Sequence, residues 1–416
     1  MIMTRYDSYK DTGISWIGEI PSHWEVKRGK FVSRILAGFP FDSDKFTTDE
    51  GYMPLIRIRD INSATTEMNY SGSYIEDYVI KRGDVLIGMD GDFKISQWGG
   101  GDALLNQRVC KVEDSKELLA KFAYYLLPRP LQLINDICYA TTVKHLSTYD
   151  VLGTFLPVPP IEEQKVIADY LDKKCGNIDG IIATQERRIA LLNELKQTII
   201  TEAVTRGINP NVPLKDSGID WIGEIPSHWE VKRGKFVSRI LAGFPFDSDK
   251  FTTDEGYMPL IRIRDINSAT TEMNYSGSYI EDYVIKRGDV LIGMDGDFNI
   301  SQWGGEDALL NQRVCKVEDG KELLAKFAYY LLPRPLQLIN DICYATTVKH
   351  LSTYDVLGTF LPVPPIEEQK AIAEYLDKKC SKIGSALATA KRQVELFREY
   401  KQSVITEAVT GKIKVF

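Results

Sequence analysis

Pro159-Pro160-Ile161-Glu162-Glu163-Gln164 opens a stretch that meets no further proline until Pro210. Proline ahead of a helix sets φ and cannot continue a strand, and Glu162 and Glu163 put negative charge on the first turn, where the helix dipole favours it. The spacing predicts a helix over 161–205 with a soft point at Gly176. Ile178, Ile181, Ile182, Ile189, Leu192, Leu195, Ile199 and Ala203 recur at threes and fours between charged and amide residues, a stripe suited to another helix. The same opening returns as Pro364-Pro365-Ile366-Glu367-Glu368-Gln369 and leads into Ile383, Leu387, Val394, Phe397, Tyr400, Val404 and Ala408. Each half of the chain therefore ends in a long amphipathic helix, and the two helices are natural partners.

Working outward, Lys10 to Thr205 aligns without a gap onto Lys215 to Thr410. Between Trp16 and Cys175 only five positions differ: Lys94/Asn299, Gly101/Glu306, Ser115/Gly320, Val166/Ala371 and Asp169/Glu374. Over the next thirty positions sixteen differ, among them Leu192/Phe397, Leu195/Tyr400 and Ile181/Ala386. The globular parts are one object twice, whereas helices that pack on each other need complementary knobs and holes. So long a period excludes a solenoid of short repeats. The expected division is a domain at 1–160, a helix at 161–205, a linker at 206–220, a second domain at 221–365 and a helix with its tail at 366–416.

Composition bounds the answer. The chain has 416 residues, is 44% hydrophobic and carries a formal charge of -7, so it is large enough for two or three domains. It has neither an apolar run of the ~18 residues a membrane span needs nor a signal-peptide pattern, so a cytoplasmic protein is expected. Cys110, Cys138, Cys175, Cys315, Cys343 and Cys380 are too scattered for a metal knuckle or redox pair and read as buried thiols. The acidic balance argues mildly against nucleic acid, so any such role rests on local patches.

Within one copy, residues 6–24 read as a loop-rich entry, 28–36 as a short helix or strand, and 37–43 as a turn-rich loop. The alternation over 52–61 predicts a strand with Arg57 and Arg59 on one face. Strands are expected at 85–89 and 103–112, a glycine-rich loop at 90–102, helices at 117–127 and 131–137, and an extended segment at 150–158. The mixture of helices and strands with mostly local connections is an α+β domain.

Asp90, Asp92 and Asp102 have the residue types of a metal site but the spacing of neither a calcium loop nor a two-metal nuclease, and a turn is the simpler reading. His23, His145, His228 and His350 lack HExxH or nearby cysteines and read as structural. Nucleotide-binding and nucleophile-elbow motifs are absent from the sequence. Trp16, Trp24 and Trp98 have the chemistry of a stacking platform, though isolated tryptophans are more often core. Polar readers are better represented: Arg57, Arg59, Lys94, Asn106, Gln107, Arg108 and Lys144, with Arg262, Arg264, Asn311, Gln312, Arg313 and Lys349 in the second copy. Arginine suits guanine, Asn and Gln suit adenine, and lysine suits phosphate. A solvated strand face is the plainer alternative for any one of them. Lys94 becomes Asn299, which argues against a strict base reader.

Several segments together resemble the DNA-specificity (S) subunits of type I restriction-modification systems. They are Gly18-Glu19-Ile20-Pro21-Ser22-His23-Trp24, Gly38-Phe39-Pro40-Phe41, Leu55-Ile56-Arg57, Asn106-Gln107, Val143-Lys144-His145-Leu146-Ser147 and Phe155-Leu156-Pro157-Val158-Pro159-Pro160-Ile161-Glu162-Glu163-Gln164. The resemblance covers the chain twice. It implies two α/β target-recognition domains held apart by two long antiparallel helices, a coiled-coil spacer with pseudo-two-fold symmetry. It also implies no catalytic residues and no cofactor of the chain's own. Two modification subunits would bind S-adenosylmethionine and methylate adenine, and restriction subunits would join in the full complex. Members of the family usually carry dissimilar recognition domains, whereas these two are nearly identical.

Antiparallel helices would turn two like readers toward an inverted repeat, so a gapped palindrome in double-stranded DNA is the expected target. Helices of about forty residues reach ~60 Å, which suits half-sites roughly one duplex turn (~34 Å) apart. Residues 16–160 hold sixteen Lys or Arg against nineteen Asp or Glu, so weak binding by the isolated chain is expected, with methylase subunits supplying phosphate contacts. The rival readings are a duplicated metal-dependent nuclease built on Asp90, Asp92 and Asp102, and a coiled-coil scaffold that binds no nucleic acid.

Overall fold

The computed structural model describes residues 4–138, 145–343 and 350–416. Two helices dominate it, Ile161–Arg206 and Ile366–Val409, starting where the two Pro-Pro-Ile-Glu-Glu-Gln motifs predict. They end at Gly207 and Gly411, whose φ angles of 75° and 70° lie in the left-handed region that closes a helix cheaply only for glycine. Among the described residues, no helix is long and apolar enough to cross a membrane.

In the first copy, strands Ile95–Gln97, Val85–Gly88, Val109–Glu113 and Arg34–Ala37 lie in that order in an antiparallel sheet. A second sheet has the order Phe46–Thr47, Asn69–Tyr70, Met53–Ile56, Ala103–Leu105, Val79–Ile80. Its one parallel pair sets Leu55 opposite Leu104 and Ile56 opposite Leu105. Because neighbours along a strand point to opposite faces, Ile56 and Leu105 enter a core with Leu86 and Trp98. Leu55 and Leu104 enter another with Phe41 and Tyr70. The second copy repeats both sheets.

The differences from the sequence reading are local. Residues 52–61 are not one strand: the ladder stops at Ile56 and Ile58–Asp60 forms a 3-10 turn, because the Asp60 carboxylate takes the backbone N–H of Arg57 at 3.0 Å. Residues 103–112 split at Asn106 into two strands in different sheets. The expected loop at 90–102 contains the hairpin strand Ile95–Gln97. Residues 150–153 are helical, within Thr148–Gly153, where Ser147 and Asp150 cap reciprocally. Trp24 and Trp98 are buried, with indole N–H groups donating to Glu163 and to the carbonyl of Gly101, and so offer no stacking face.

The chain forms two compact units, residues 1–186 with 392–416, and residues 187–391. The first unit's main core includes Val404, Ala408, Val409 and Ile413, all from the far end of the chain. That of the second includes Ala203 and Val204 from the end of the first long helix. Each unit's core is thus completed by the helix end of the other repeat. Within the first unit, Lys401 lies 2.7 Å from Asp179 and Arg398 lies 2.7 Å from Glu186. Numbers rise along one helix as they fall along the other, so the segments run antiparallel.

The helix-opening motif is a clasp. The buried Gln164 side chain accepts from Leu119 N at 2.9 Å and donates to the carbonyls of Glu117 at 2.7 Å and Pro159 at 2.8 Å. Gln369 makes the same three bonds. The Glu163 carboxylate receives Trp24 Nε1 at 3.0 Å and sits 2.6 Å from His23 Nε2, joining the entry segment to the helix. Replacing Gln164 or Gln369 by leucine strands buried backbone groups and should lower unfolding free energy by about 3 kcal/mol in urea titration, with full helical circular dichroism in the absence of urea.

Burial first, and then a hydrogen bond to a neighbouring carboxylate together with its charge, holds the hydroxyls of Tyr6, Tyr125 and Tyr330 above the usual phenol range. Burial also pushes the thiols of Cys110 and Cys315 up to about 12. A group whose folded pKa is raised contributes its full stability below its unfolded pKa and loses it as pH climbs toward the folded value. The urea midpoint should therefore be insensitive to these groups near neutrality and fall from about pH 9 upward. Tyr125→Phe with Tyr330→Phe should flatten that fall.

Candidate functional site

The parallel pairing of Met53–Ile56 with Ala103–Leu105 decides where the candidate readers emerge. Since Ile56 stands opposite Leu105, Arg57 and Asn106 leave the sheet side by side, at the same end of neighbouring strands. Asn106 is buried, and its side-chain oxygen caps Gln107 N at 2.8 Å while its carbonyl takes Val109 N at 2.9 Å. It builds the turn rather than facing outward. Gln107 and Arg108, at the tip of that turn, are exposed. Phe39 joins the cluster through a backbone bridge to Asn106.

Arg57 is partly buried, with Nε 3.1 Å from Asp60 Oδ2, and Thr66 donates to the same oxygen at 3.1 Å. Arg59, in the turn that follows, is exposed. The two arginines therefore do not share a strand face. One is braced by a buried carboxylate and the other projects into solvent. Arg262, Arg264, Asn311, Gln312 and Arg313 repeat this arrangement.

Lys94 is exposed but stands apart from this cluster. It lines a groove of about 830 Å³ with Tyr124, Asp179, Arg398 and Lys401. Its counterpart Asn299 lines the equivalent groove of about 690 Å³ with Lys196 and Tyr329. Lys144 and Lys349 lie outside the described residues.

Two residues to which the sequence pointed for other roles stand beside Arg108 at this turn. Asp90 Oδ1 is 2.7 Å from His145 Nδ1 and 3.4 Å from Arg108 Nη1, and the second copy has the same group in Asp295, His350 and Arg313. Asp90 had the chemistry of a metal ligand. Here it holds two cationic or proton-donating side chains, and among the described residues no three His, Cys, Asp or Glu side chains stand together as a metal site. The available signal was that His145 follows Lys144, itself a candidate. Nothing in the sequence placed Asp90 against it.

The arrangement offers hydrogen-bond donors on short turns above a rigid sheet edge, the geometry that reads base edges and phosphates. The approach of the Phe39 loop requires Gly38, since a Cβ there would meet the Asn106 carbonyl at 2.0 Å. Gly38→Ala with Gly243→Ala should cost about 1–3 kcal/mol per copy in urea unfolding.

A family model described as "Type I restriction modification DNA specificity domain" matches residues 21–193 and again residues 226–394. The chain is 28% identical over 403 residues to the Type I restriction enzyme EcoBI specificity subunit of Escherichia coli, spanning 92% of this chain and 84% of that one. It is 25% identical over 418 residues to the Type I restriction enzyme MjaVIII specificity subunit of Methanocaldococcus jannaschii, spanning 95% and 94%. A solved structure described as "Structural basis underlying complex assembly and conformational transition of the type I R-M system" shares the fold, with a TM-score of 0.68 at 17% identity over 94% of this chain and 98% of that chain.

Proposed function

This chain belongs to the type I restriction-modification DNA specificity family and serves DNA recognition in such a system; we propose that it is a non-catalytic subunit that reads a gapped palindrome in double-stranded DNA. Two modification subunits would dock on it, bind S-adenosylmethionine and methylate adenine at the chosen site, with restriction subunits cutting in the full complex. The setting is the cytoplasm. The observation that carries the palindrome is the exchange of helix ends: each recognition domain is closed by the terminal segment of the other repeat's helix, and the paired segments run antiparallel. Such an exchange is what an inverted, rather than tandem, pair of near-identical readers would call for, and duplex DNA matches inversion through its own local two-folds.

The readers proposed are Arg57, Arg59, Gln107 and Arg108 with Arg262, Arg264, Gln312 and Arg313, supported by the turns that Asn106 and Asn311 build. Lys94 is proposed as a phosphate or partner contact, and Lys144 and Lys349 as phosphate contacts. An acidic chain of formal charge -7 releases few counterions from DNA, so the methylase subunits are proposed to supply much of the salt-dependent affinity.

The test is methylation-sensitive sequencing of DNA treated with the chain and its partner methylase. A two-part inverted consensus is expected, and a direct repeat or unpatterned methylation would overturn the reading. With magnesium and plasmid alone the chain should cut nothing. Inserting four residues into each long helix at matched positions adds ~6 Å and should lengthen the accepted spacer by about two base pairs; an unchanged spacer with an intact complex would exclude the helices as the ruler.

A further inference from the structure

We propose that Asp90, Arg108 and His145 form a reading head for guanine, in which Asp90 is a positioning residue and Arg108 a specificity-determining one, and that Asp295, Arg313 and His350 read the equivalent base of the other half-site. This rests on the DNA-reading role proposed above and names one of its contacts.

Three backbone segments converge to build the head. Asp90 and His145 form an isolated bridge, Met89 N donates to the Arg108 carbonyl at 3.0 Å, and Leu146 N donates to the Met89 carbonyl at 2.7 Å. Met89 and Leu146 are buried beneath, while the three side chains above them are 34% (Asp90), 46% (His145) and 55% (Arg108) exposed. The backbone ladder and the buried pair already hold the loops together. Exposed ion pairs add only about 0–1 kcal/mol, so stability gives little reason for this trio. The second copy, which has the same sequence here, holds the same trio, with Asp295 2.8 Å from His350 and 3.3 Å from Arg313.

Its chemistry favours a base over a phosphate. Nδ1 of His145 and Nη1 of Arg108 both face Asp90 Oδ1, at 2.7 and 3.4 Å, which steers the guanidinium and leaves its Nε and Nη2 without a bond among the described residues. An oriented guanidinium is the partner of guanine O6 and N7, two acceptors that it can engage together. A carboxylate beside the arginine would repel a phosphate diester, whereas a neutral base edge is not repelled. The head also stands two residues beyond Asn106, at the sheet end where Arg57 emerges.

The test uses the full chain with its partner methylase subunits and methylation-sensitive sequencing. The variants are Asp90→Asn with Asp295→Asn, Arg108→Lys with Arg313→Lys, and Arg313→Lys alone. Lysine keeps the charge but loses the two-pronged contact. Both double variants should lose preference for guanine at one position in each half-site, with discrimination there falling roughly ten- to a hundredfold. Arg313→Lys alone should relax a single half-site. The salt dependence of DNA binding should be unaltered in the lysine variants.

A consensus unchanged base for base would overturn the proposal. So would an alanine variant at Arg108 that weakens all sequences equally with a shallower salt dependence, the mark of a phosphate contact. An Asp90→Asn protein with a lowered melting temperature and no methylation would make Asp90 structural and remove its positioning role. If the unaltered chain gives no consensus at all, the DNA-reading role fails, and the guanine head with it.

Discussion

Neither recognition domain can close its core from its own half of the sequence. Val404, Ala408 and Val409 share one core with Trp24 and Ile167, and Ala203 and Val204 share the other with Trp229 and Ile372. Burying side chains of this size is worth roughly 1–3 kcal/mol each, so the helix ends are parts of the cores rather than ornaments on them. A chain that must lend the end of each helix to the other repeat is committed to running those helices in opposite directions. Where the apolar groups have to go thus ties the end of each helix to the core that begins in the other repeat.

The clasp at each helix start transmits that commitment. Gln164 fixes the first turn to the carbonyls of Glu117 and Pro159, and Glu163 fixes it to the entry segment through His23 and Trp24. Helix and domain therefore move as one body at this junction. The proposed readers sit on turns anchored to a sheet whose residues face two cores, so the placement of Arg57 and Arg108 is inherited from packed strands. Tolerated differences between the copies fit this division. Gly101 and Glu306 differ, yet Trp98 and Trp303 use only their backbone carbonyls, so the side chain is irrelevant there.

The helices were legible in the sequence because proline, two acidic residues and a long 3.6-residue periodicity all agree there. The duplication was legible from identity alone, and the α+β class from alternating periodicities. The strand over 52–61 was not, because Asp60 captures the backbone of Arg57, a three-residue interaction that alternation of apolar and polar residues cannot reveal. Asn106 looked like a base reader because its chemistry suits adenine, but the same amide suits a turn. Its burial and the bond that its side-chain oxygen accepts from Gln107 N show the turn-building use. Asp90 and His145 lie 55 residues apart in sequence, and contacts of that range are written in the topology rather than in any local pattern.

Near-identity of the domains raises the question of what stops one repeat's helix from pairing with its own kind in a second molecule. The charges supply part of the answer. In the first unit Asp179 faces Lys401 and Glu186 faces Arg398. At the positions 205 residues on or back the chain has Gly384 with Lys196, and Lys391 with Asn193. Two copies of the second helix paired in the same register would set Lys391 against Arg398, like charge on like charge. The aromatic substitutions act in the same sense: Lys174 packs over Tyr400, while Lys379, whose equivalent partner is Leu195, turns to Tyr375 on its own helix. Each exposed contact is worth only about 0.2–1 kcal/mol, so none locks the pairing alone. Their sum biases it toward the arrangement within one chain, where tethering already favours it. Divergence concentrated in the helices, beside domains held nearly constant, is what this requires: unlike helices favour the pairing of the two helices in the same chain.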